Sequence, residues 1–540
     1  MPSSPSATSS SERQSKRMER PPPLFLLRFL FLFPLLVVPA LSQSPPQPKG
    51  FLVNCGSTDD LFTPDGLRWL ADSSFVSAGS PRKLSLPGLL PVLSTLRSFP
   101  VRPGILQPRK FCYVLRAVRG ARYLIRTTYF YGGFDSPAGS GTPPVFDQIV
   151  DGTFWTTVNT TADYAAGVAS YYEGVFRAKG MTMSVCVAEN TYTTSDLFIS
   201  ALETILLEDS VYNGTNFDEY AMGLIARSTF GSIGSTLRYP DDRFNRYWQP
   251  FSGSAHAMTS THNISSSDFW NLPPAMIFNT ALVADKAKPL VFQWPPNLLP
   301  SSSYYIALYF ADTLPGSTRT FDVYVNDYRF YANLTVTSAG LVVFSTQWLL
   351  SGLTTITLTS ESPLPPLISA GEVFGLFSVG NVTHTRDIIA LENIKKNIAS
   401  PPSDWSGDPC MPEQYSWTGI TCSNGSKIRV VALNLSSMGL SGSLSPHIAR
   451  MTALTDISFA YNNFTGPIPD LSKLKNLQKL HLQNNELTGV IPPSLANLSQ
   501  LRELYLENNN LTGEIPRRLF RKGLDFRFLP GNHFLPPPAN

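Results

Sequence analysis

Charge is scarce in this chain. Lys, Arg, Asp and Glu make up 15% of its 540 residues, against about 25% in ordinary soluble domains. The net formal charge is +3, and no Lys/Arg stripe with interleaved aromatics occurs, which argues against a nucleic-acid partner. Histidine is rare too, at 6 residues. None lies near a cysteine with metal-ligand spacing, and neither H-E-x-x-H nor G-x-S-x-G occurs. No metal or cofactor is therefore expected, and an enzyme is disfavoured. No long helical period is present. Beyond the N-terminus, no apolar run reaches the roughly 18 residues of a membrane-spanning helix.

What is present points to the secretory route. Lys16, Arg17 and Arg20 precede an apolar run over 24–40, broken by Arg28, Pro34 and Pro39. Ala40 and Ser42 suit cleavage before Gln43, so residues 1–42 read as a signal peptide and 43–50 as a linker. Met18 is an alternative start, and an uncleaved leader tethering the chain to the membrane is the alternative outcome. Sequons stand at Asn159, Asn213, Asn263, Asn333, Asn381, Asn424, Asn434, Asn463, Asn497 and Asn510. Each is weak alone; together they suit a glycosylated extracellular chain at the cell surface or in the apoplast. The cysteines are Cys55, Cys112, Cys186, Cys410 and Cys422. Cys410 and Cys422 are close in a loop-rich stretch and are expected to pair. Of the other three one is left over, and spacing does not say which.

Residues 430–523 repeat one pattern four times, L-x-x-L-x-L-x-x-N-x-L-x-G-x-I-P, with a period of 23 or 24. This is the leucine-rich repeat, an α/β solenoid unit that buries its apolar side only by stacking. The repeated asparagines Asn462, Asn485 and Asn509 are expected to point inward, their amides serving backbone groups left open at each turn. Met438 replaces the asparagine in the first unit. Residues 381–429, with Trp405, Trp417 and the Cys410/Cys422 pair, are expected to form a linker and a cap over the solenoid's exposed end. Residues 524–540 read as a degenerate closing unit and tail. If that unit starts at Leu524, Asn532 and Phe534 fall at repeat positions and Arg527 falls where an apolar residue belongs.

Residues 51–380 hold short β-rich runs between Gly, Pro, Asn and Ser turns, so sheet is expected. They also contain an internal repeat. Each half has a Tyr-led strand, then Phe-Asp (Phe146/Asp147 and Phe321/Asp322), then Ile-Ser-Ala-x-Glu (Ile199–Glu203 and Ile368–Glu372). Two β-sandwiches in tandem are expected, over 51–212 and 213–380.

The ordered set "VNCGS", "FCYVL…YLIRTTYFYGGFD", "LFISALE", "RYPDDRFNRYW" and "GDPC…WTGITC" resembles the malectin-like plus leucine-rich-repeat ectodomains of plant receptor-like proteins and kinases, over roughly residues 50–530. The resemblance implies two malectin-like sandwiches and a non-catalytic receptor-like recognition role. The ligand would be a cell-wall oligosaccharide or a secreted peptide, with a membrane receptor kinase as co-receptor. Kinase signatures are absent from the chain.

Two sets of candidate residues follow. A sugar site needs aromatic faces and hydroxyl acceptors. Tyr131, Phe134, Asp135, Tyr192 and Asp196 supply both, on loops where the resemblance implies sugar contacts in the first module. The second module offers only Leu314 and Pro315 there. On the solenoid, Tyr461, Lys479, His481, Arg502 and Tyr505 are expected on the concave face, suited to a peptide or protein. Asn484 and Asn508 are expected beside Tyr461's position, pointing to solvent. The rival readings are a structural cell-wall glycoprotein and a glycan-active enzyme using Asp135 with Asp196, or Asp147 with Asp151.

Overall fold

A computed structural model of the chain describes residues 46–101, 108–135, 141–253, 255–260, 264–286, 288–312, 314, 316–360 and 363–535. The expected leader with its cleavage at Gln43, the sequon Asn263, Pro315 and the final residues 536–540 lie outside the described residues. The chain is mainly β: sandwich sheets are followed by a solenoid of parallel strands.

The strand Arg122–Tyr129 shows how the first module is built. Tyr123, Ile125 and Tyr129 point into a core shared with Phe111, Tyr113, Phe146, Val158 and Val185 of a second sheet. Leu124 points the other way, into a core with Val175, Trp248 and Phe374. Successive side chains on a strand face opposite sides. A strand covered on both sides therefore reads as almost continuously apolar.

One sheet runs through both sandwiches. Its strands follow the order Gly50–Asn54, Ala201–Leu206, Arg122–Tyr129, Ser170–Arg177, Tyr220–Phe230, Ala370–Ser378, Leu299–Phe310 and Leu341–Gly352. Tyr220–Phe230 pairs with a strand of each module. The expected division at 212/213 lies just ahead of this shared strand. The join to the first module is tight, with Gly174 opposite Gly223. A Cβ on Gly174 would lie 2.8 Å from the Met222 carbonyl oxygen and 3.0 Å from the Trp155 ring, so this crossing requires glycine. In the second module, Leu290–Gln293, Thr355–Thr359, Arg319–Val325 and Tyr328–Val336 form the other sheet. Phe292, Phe321, Val323 and Ile356 from these strands share a core with Ile306 and Leu308.

Buried charges cross the seam on Leu124's side of the sheet. Glu203, Arg126, Glu173, Arg227 and Glu372 sit on five adjacent strands and alternate in sign. Arg126 meets Glu203 at 2.9 Å and Glu173 at 2.5 Å; Arg227 meets Glu173 at 2.7 Å and Glu372 at 2.6 Å. Glu203 and Glu372 are the glutamates of the repeated Ile-Ser-Ala-x-Glu motif. A lone buried charge would be prohibitive, and the alternation gives each one a partner.

The solenoid begins with a cap. Its helix, Thr385–Lys395, is N-capped by the His384 side chain, which accepts from the Arg386 N–H. Cys410 and Cys422 are bonded, and the buried rings of Trp405 and Trp417 stack with centroids 5.3 Å apart. Val430–Asn434, Asp456–Ser458, Lys479–His481, Glu503–Tyr505 and Asp525–Arg527 then form one parallel sheet. Ser441–Ser443, Asn463–Pro467, Glu486–Val490, Asn510–Gly513 and His533–Phe534 form the second.

The asparagine ladder forms between them. Asn485 Nδ2 donates to the Phe459 and Leu482 carbonyls, and its Oδ1 accepts from the Phe464 N–H at 3.0 Å. Asn462, Asn509 and Asn532 repeat the arrangement. Arg527 differs from expectation. Phe526 pairs with Leu504 and takes the apolar position, so Arg527 aligns with Tyr505 on the concave face. Asn484 and Asn508 both hold left-handed backbone (φ +56° and +54°); Asn508 is exposed, and its amide donates to Asn484 Oδ1 at 2.9 Å.

The cap is docked on the first module, not merely tethered to it. Lys110 donates to the carbonyls of Asp408 and Met411 at 2.6 and 2.7 Å, and Ser406 Oγ accepts from the Cys112 N–H. Tyr415 donates to Asp147 Oδ2 at 2.6 Å. Cys112 and Cys186 are bonded on adjacent strands, which leaves Cys55 as the free, buried thiol. Gly407, at φ +71°, lies against this disulfide; a Cβ there would meet Cys112 Sγ at 2.6 Å.

Candidate functional site

The inner sheet of the solenoid presents two columns of side chains. Strand register aligns Ala432, Asp456, Lys479, Glu503 and Asp525 in one, and Asn434, Ser458, His481, Tyr505 and Arg527 in the other. Their C-terminal end is organised by contacts between repeats. The His481 and Tyr505 rings stack with centroids 4.3 Å apart and planes 7° from parallel. The Arg527 guanidinium lies 4.2 Å from the Tyr505 ring centre. Glu503 holds His481 at 2.9 Å and Lys479 at 3.3 Å, and Asp525 accepts from the Tyr505 hydroxyl at 2.7 Å and from Arg527 at 2.9 Å. The bond to Asp525, with partial burial and that carboxylate's charge, raises the Tyr505 phenol's pKa. Bonds from Arg527 and Tyr505 lower that of Asp525.

A groove of about 520 Å³ continues this face toward the cap, lined among others by Asn434, Ser458, Tyr461, Lys479 and His481. Tyr461 is 58% exposed. The structure thus gathers Tyr461, Lys479, His481 and Tyr505 on one side, with Arg502 exposed next to the strand Glu503–Tyr505. Spacing alone did not find Glu503, Asp525 and Arg527. The signal was available in the closing unit, where Phe526 is the apolar residue to align with Leu504.

The first-module set is arranged differently. Tyr131 is buried among Phe134, Tyr164 and Phe198, and its hydroxyl is bonded to Asp135; burial first, then that bond, raises its pKa. Its ring presents no open face. Asp196 Oδ1 accepts from the Val101 N–H at 3.2 Å. Asp135 and Tyr192 are exposed, Tyr192 at 71%, and Phe134 is half-buried. Asp147 uses one oxygen for Thr157 and Asn190 and the other for Tyr415. Asp151 Oδ1 accepts from the Ser184 N–H at 2.7 Å, and burial, chiefly, raises its carboxyl's pKa to about 6. In the second module Leu314 is exposed.

A second groove, of about 920 Å³, separates the first module from the cap helix and was not anticipated. Val114, Met181, Val382 and Ile389 give it an apolar lining. Its polar groups serve the junction itself: Lys179 and Lys395 donate to the carbonyls of Gly380 and Trp405. Asp408 accepts from the N–H groups of Thr383, Cys410 and Met411. Among the described residues, no group of three or more His, Cys, Asp or Glu is placed to hold a metal ion.

All sequon asparagines among the described residues are exposed. The ladder asparagines, by contrast, use their amides internally.

A family model of the malectin-like domain matches residues 53–376, well over half of the chain. The chain belongs to the malectin-like family. Its malectin-like part is followed by matches to the leucine-rich-repeat N-terminal domain at 384–423 and to two leucine-rich-repeat copies at 475–517. This malectin-like chain is similar to a probable LRR receptor-like serine/threonine-protein kinase of Arabidopsis thaliana, at 31% identity over 477 residues, covering 82% of this chain and 48% of the relative. A putative leucine-rich-repeat receptor-like kinase of the same plant is 32% identical over 414 residues, covering 72% and 44%. The chain spans about half the length of the curated relatives it matches. Among solved structures, the ANXUR1 extracellular domain from Arabidopsis thaliana aligns with a TM-score of 0.50 at 14% identity, covering 61% of this chain and 97% of that one. The plant receptor-like kinase FER aligns with 0.50 at 17%, covering 61% and 96%. These likenesses show the shared malectin-like fold. Among the described residues no helix is long and apolar enough to cross a membrane.

Proposed function

We propose that this chain is a non-catalytic, receptor-like recognition unit of the cell surface or apoplast, and that it captures a secreted peptide on the concave face of its solenoid. A membrane receptor kinase would be its signalling partner. One observation carries the peptide reading: the continuous Arg527–Tyr505–His481 stack, flanked by Lys479, Glu503 and Asp525. Aromatic and guanidinium anchors beside charges of both signs recognise a backbone with mixed side chains. A sugar face needs an open ring with acceptors around it, whereas Tyr131 is packed inside the first module. The resemblance of the chain to receptor-like kinases supports a place in reception, and the exposed sequons support an extracellular one.

The test is a screen of the purified chain against secreted plant peptides and cell-wall oligosaccharides. A peptide should bind reversibly, and Tyr505→Ala and Arg527→Ala should each weaken it by about 1–3 kcal/mol while the fold is kept. Changes at Phe134 and Tyr192 should leave it unaffected. Saturable oligosaccharide binding that disappears with Phe134, Asp135, Tyr192 and Asp196 would transfer the site to the first module. Turnover of an oligosaccharide would overturn the reading.

A further inference from the structure

The two halves of the concave face are chemically unlike. The C-terminal half carries the stacked rings. The N-terminal half opens with Asn434, followed in its column by Ser458. Asn434 is the asparagine of an Asn-Leu-Ser sequon, and it is exposed. Its Oδ1 accepts from the Ser436 N–H at 3.1 Å, and among the described residues its Nδ2 donates no hydrogen bond. It lines the groove with Tyr461, Lys479 and His481. Of the described sequons, only this one stands on the strands of the concave sheet; Asn463 and Asn510 begin strands of the other sheet, and Asn497 ends a 3₁₀ turn.

Tyr461 is the second observation. It occupies the turn position where neighbouring repeats place Ser437, Asn484 and Asn508, all in left-handed backbone. Small polar residues tolerate that conformation; a bulky ring does so rarely. Here φ is +57° and the ring stands exposed beside the groove. A bulky ring held in a sparsely populated conformation and left exposed points to a use for it in the groove itself. An aromatic face is what a sugar ring packs against.

We infer that an N-linked oligosaccharide on Asn434 occupies the N-terminal half of the concave face, resting on Tyr461. In that modification Asn434 Nδ2 attacks the anomeric carbon of a lipid-diphosphate-linked oligosaccharide. The C1–O bond to the diphosphate breaks, an N–C1 bond forms, and the amide proton leaves with the diphosphate. The attached glycan is a bulky surface group. His481 is two strands from Asn434, about 10 Å at normal strand spacing, and Tyr505 is three strands away. The attachment point thus stands at the groove end of the face, and the Tyr505–Arg527 end lies farthest from it. That a peptide is thereby confined to this end rests on the function proposed above; the occupation of the groove does not.

Glycopeptide mapping of the chain secreted from a plant host, with hydroxyl-radical footprinting of the folded protein, tests this without any ligand. Asn434 should be occupied. N434Q and S436A, which remove the sequon in different ways, should each raise oxidation of Tyr461 by about twofold or more. Tyr328 in the second module, 72% exposed, should not change. If neither variant is secreted, enzymatic deglycosylation of the folded wild-type chain should produce the same rise. An unmodified Asn434 would overturn the proposal, as would an occupied Asn434 whose removal leaves Tyr461 labelling unchanged.

Discussion

Glu173 on Ser170–Arg177, the first-sandwich strand next to the shared strand, accepts a hydrogen bond from Arg227 on the shared strand at 2.7 Å, with both side chains fully buried. Glu173 also accepts from Arg126, so one carboxylate joins guanidinia on both sides of the seam. Arg227→Met would leave Glu173 and Glu372 each short of a partner inside the protein. Removing one member of a buried ion network typically costs about 3–5 kcal/mol. Chemical denaturation should show a loss of that size. A loss within about 0.5 kcal/mol, the usual range of surface changes, would mean that the network does not hold the seam.

The same network sets an acid limit. Burial alone would raise the Glu173 and Glu372 carboxyls, but Arg227, with Arg126 at Glu173 and Arg246 at Glu372, outweighs it and holds both below the usual range. A carboxyl whose folded pKa is depressed contributes stability above its unfolded pKa, about 4.3, and loses it as pH falls through the folded value. The melting temperature should thus be insensitive to these groups above about pH 5 and fall below about pH 4. Glu173→Gln should melt lower throughout and fall less steeply in acid. Equal acid slopes would remove Glu173 from the account.

The cap and the first module should melt together. Lys110 and Tyr415 supply three of the hydrogen bonds that join them. Bonds to charged groups contribute about 1.5–3 kcal/mol each. Lys110→Met with Tyr415→Phe should separate the solenoid's transition from that of the sandwiches in calorimetry and expose 381–409 to protease. A single unchanged transition would mean that the remaining contacts suffice.

Two neighbouring asparagines should respond differently. Asn485→Leu strands the Phe464 N–H and two or more carbonyls, at about 1–3 kcal/mol. Asn484→Gly keeps the left-handed turn that residue 484 adopts and removes only its bond from Asn508, so the change should stay within about 0.5 kcal/mol. Matching melting temperatures would refute the register.

Much of this protein was legible along the chain because its rules are local. The repeat period required a stacked solenoid, and the recurring asparagine required an inward amide. Cys410 and Cys422, close in sequence, found each other as expected. Motifs shared between the two halves announced paired sandwiches. Other features depend on which residues meet across long separations. Cys112 pairs with Cys186 because adjacent strands place them opposite one another, 74 residues apart. The glutamates of the internal repeat were visible, but only the continuous sheet set Arg126 and Arg227 between them. Tyr131 looked available for a ligand because loop position does not reveal packing; Phe198 and Tyr164 cover it. Arg527 looked like a defect because a one-residue shift in a degenerate unit exchanges inward for outward. Periodicity determined which faces had to be buried, and tertiary structure alone decided which charges and rings would meet there.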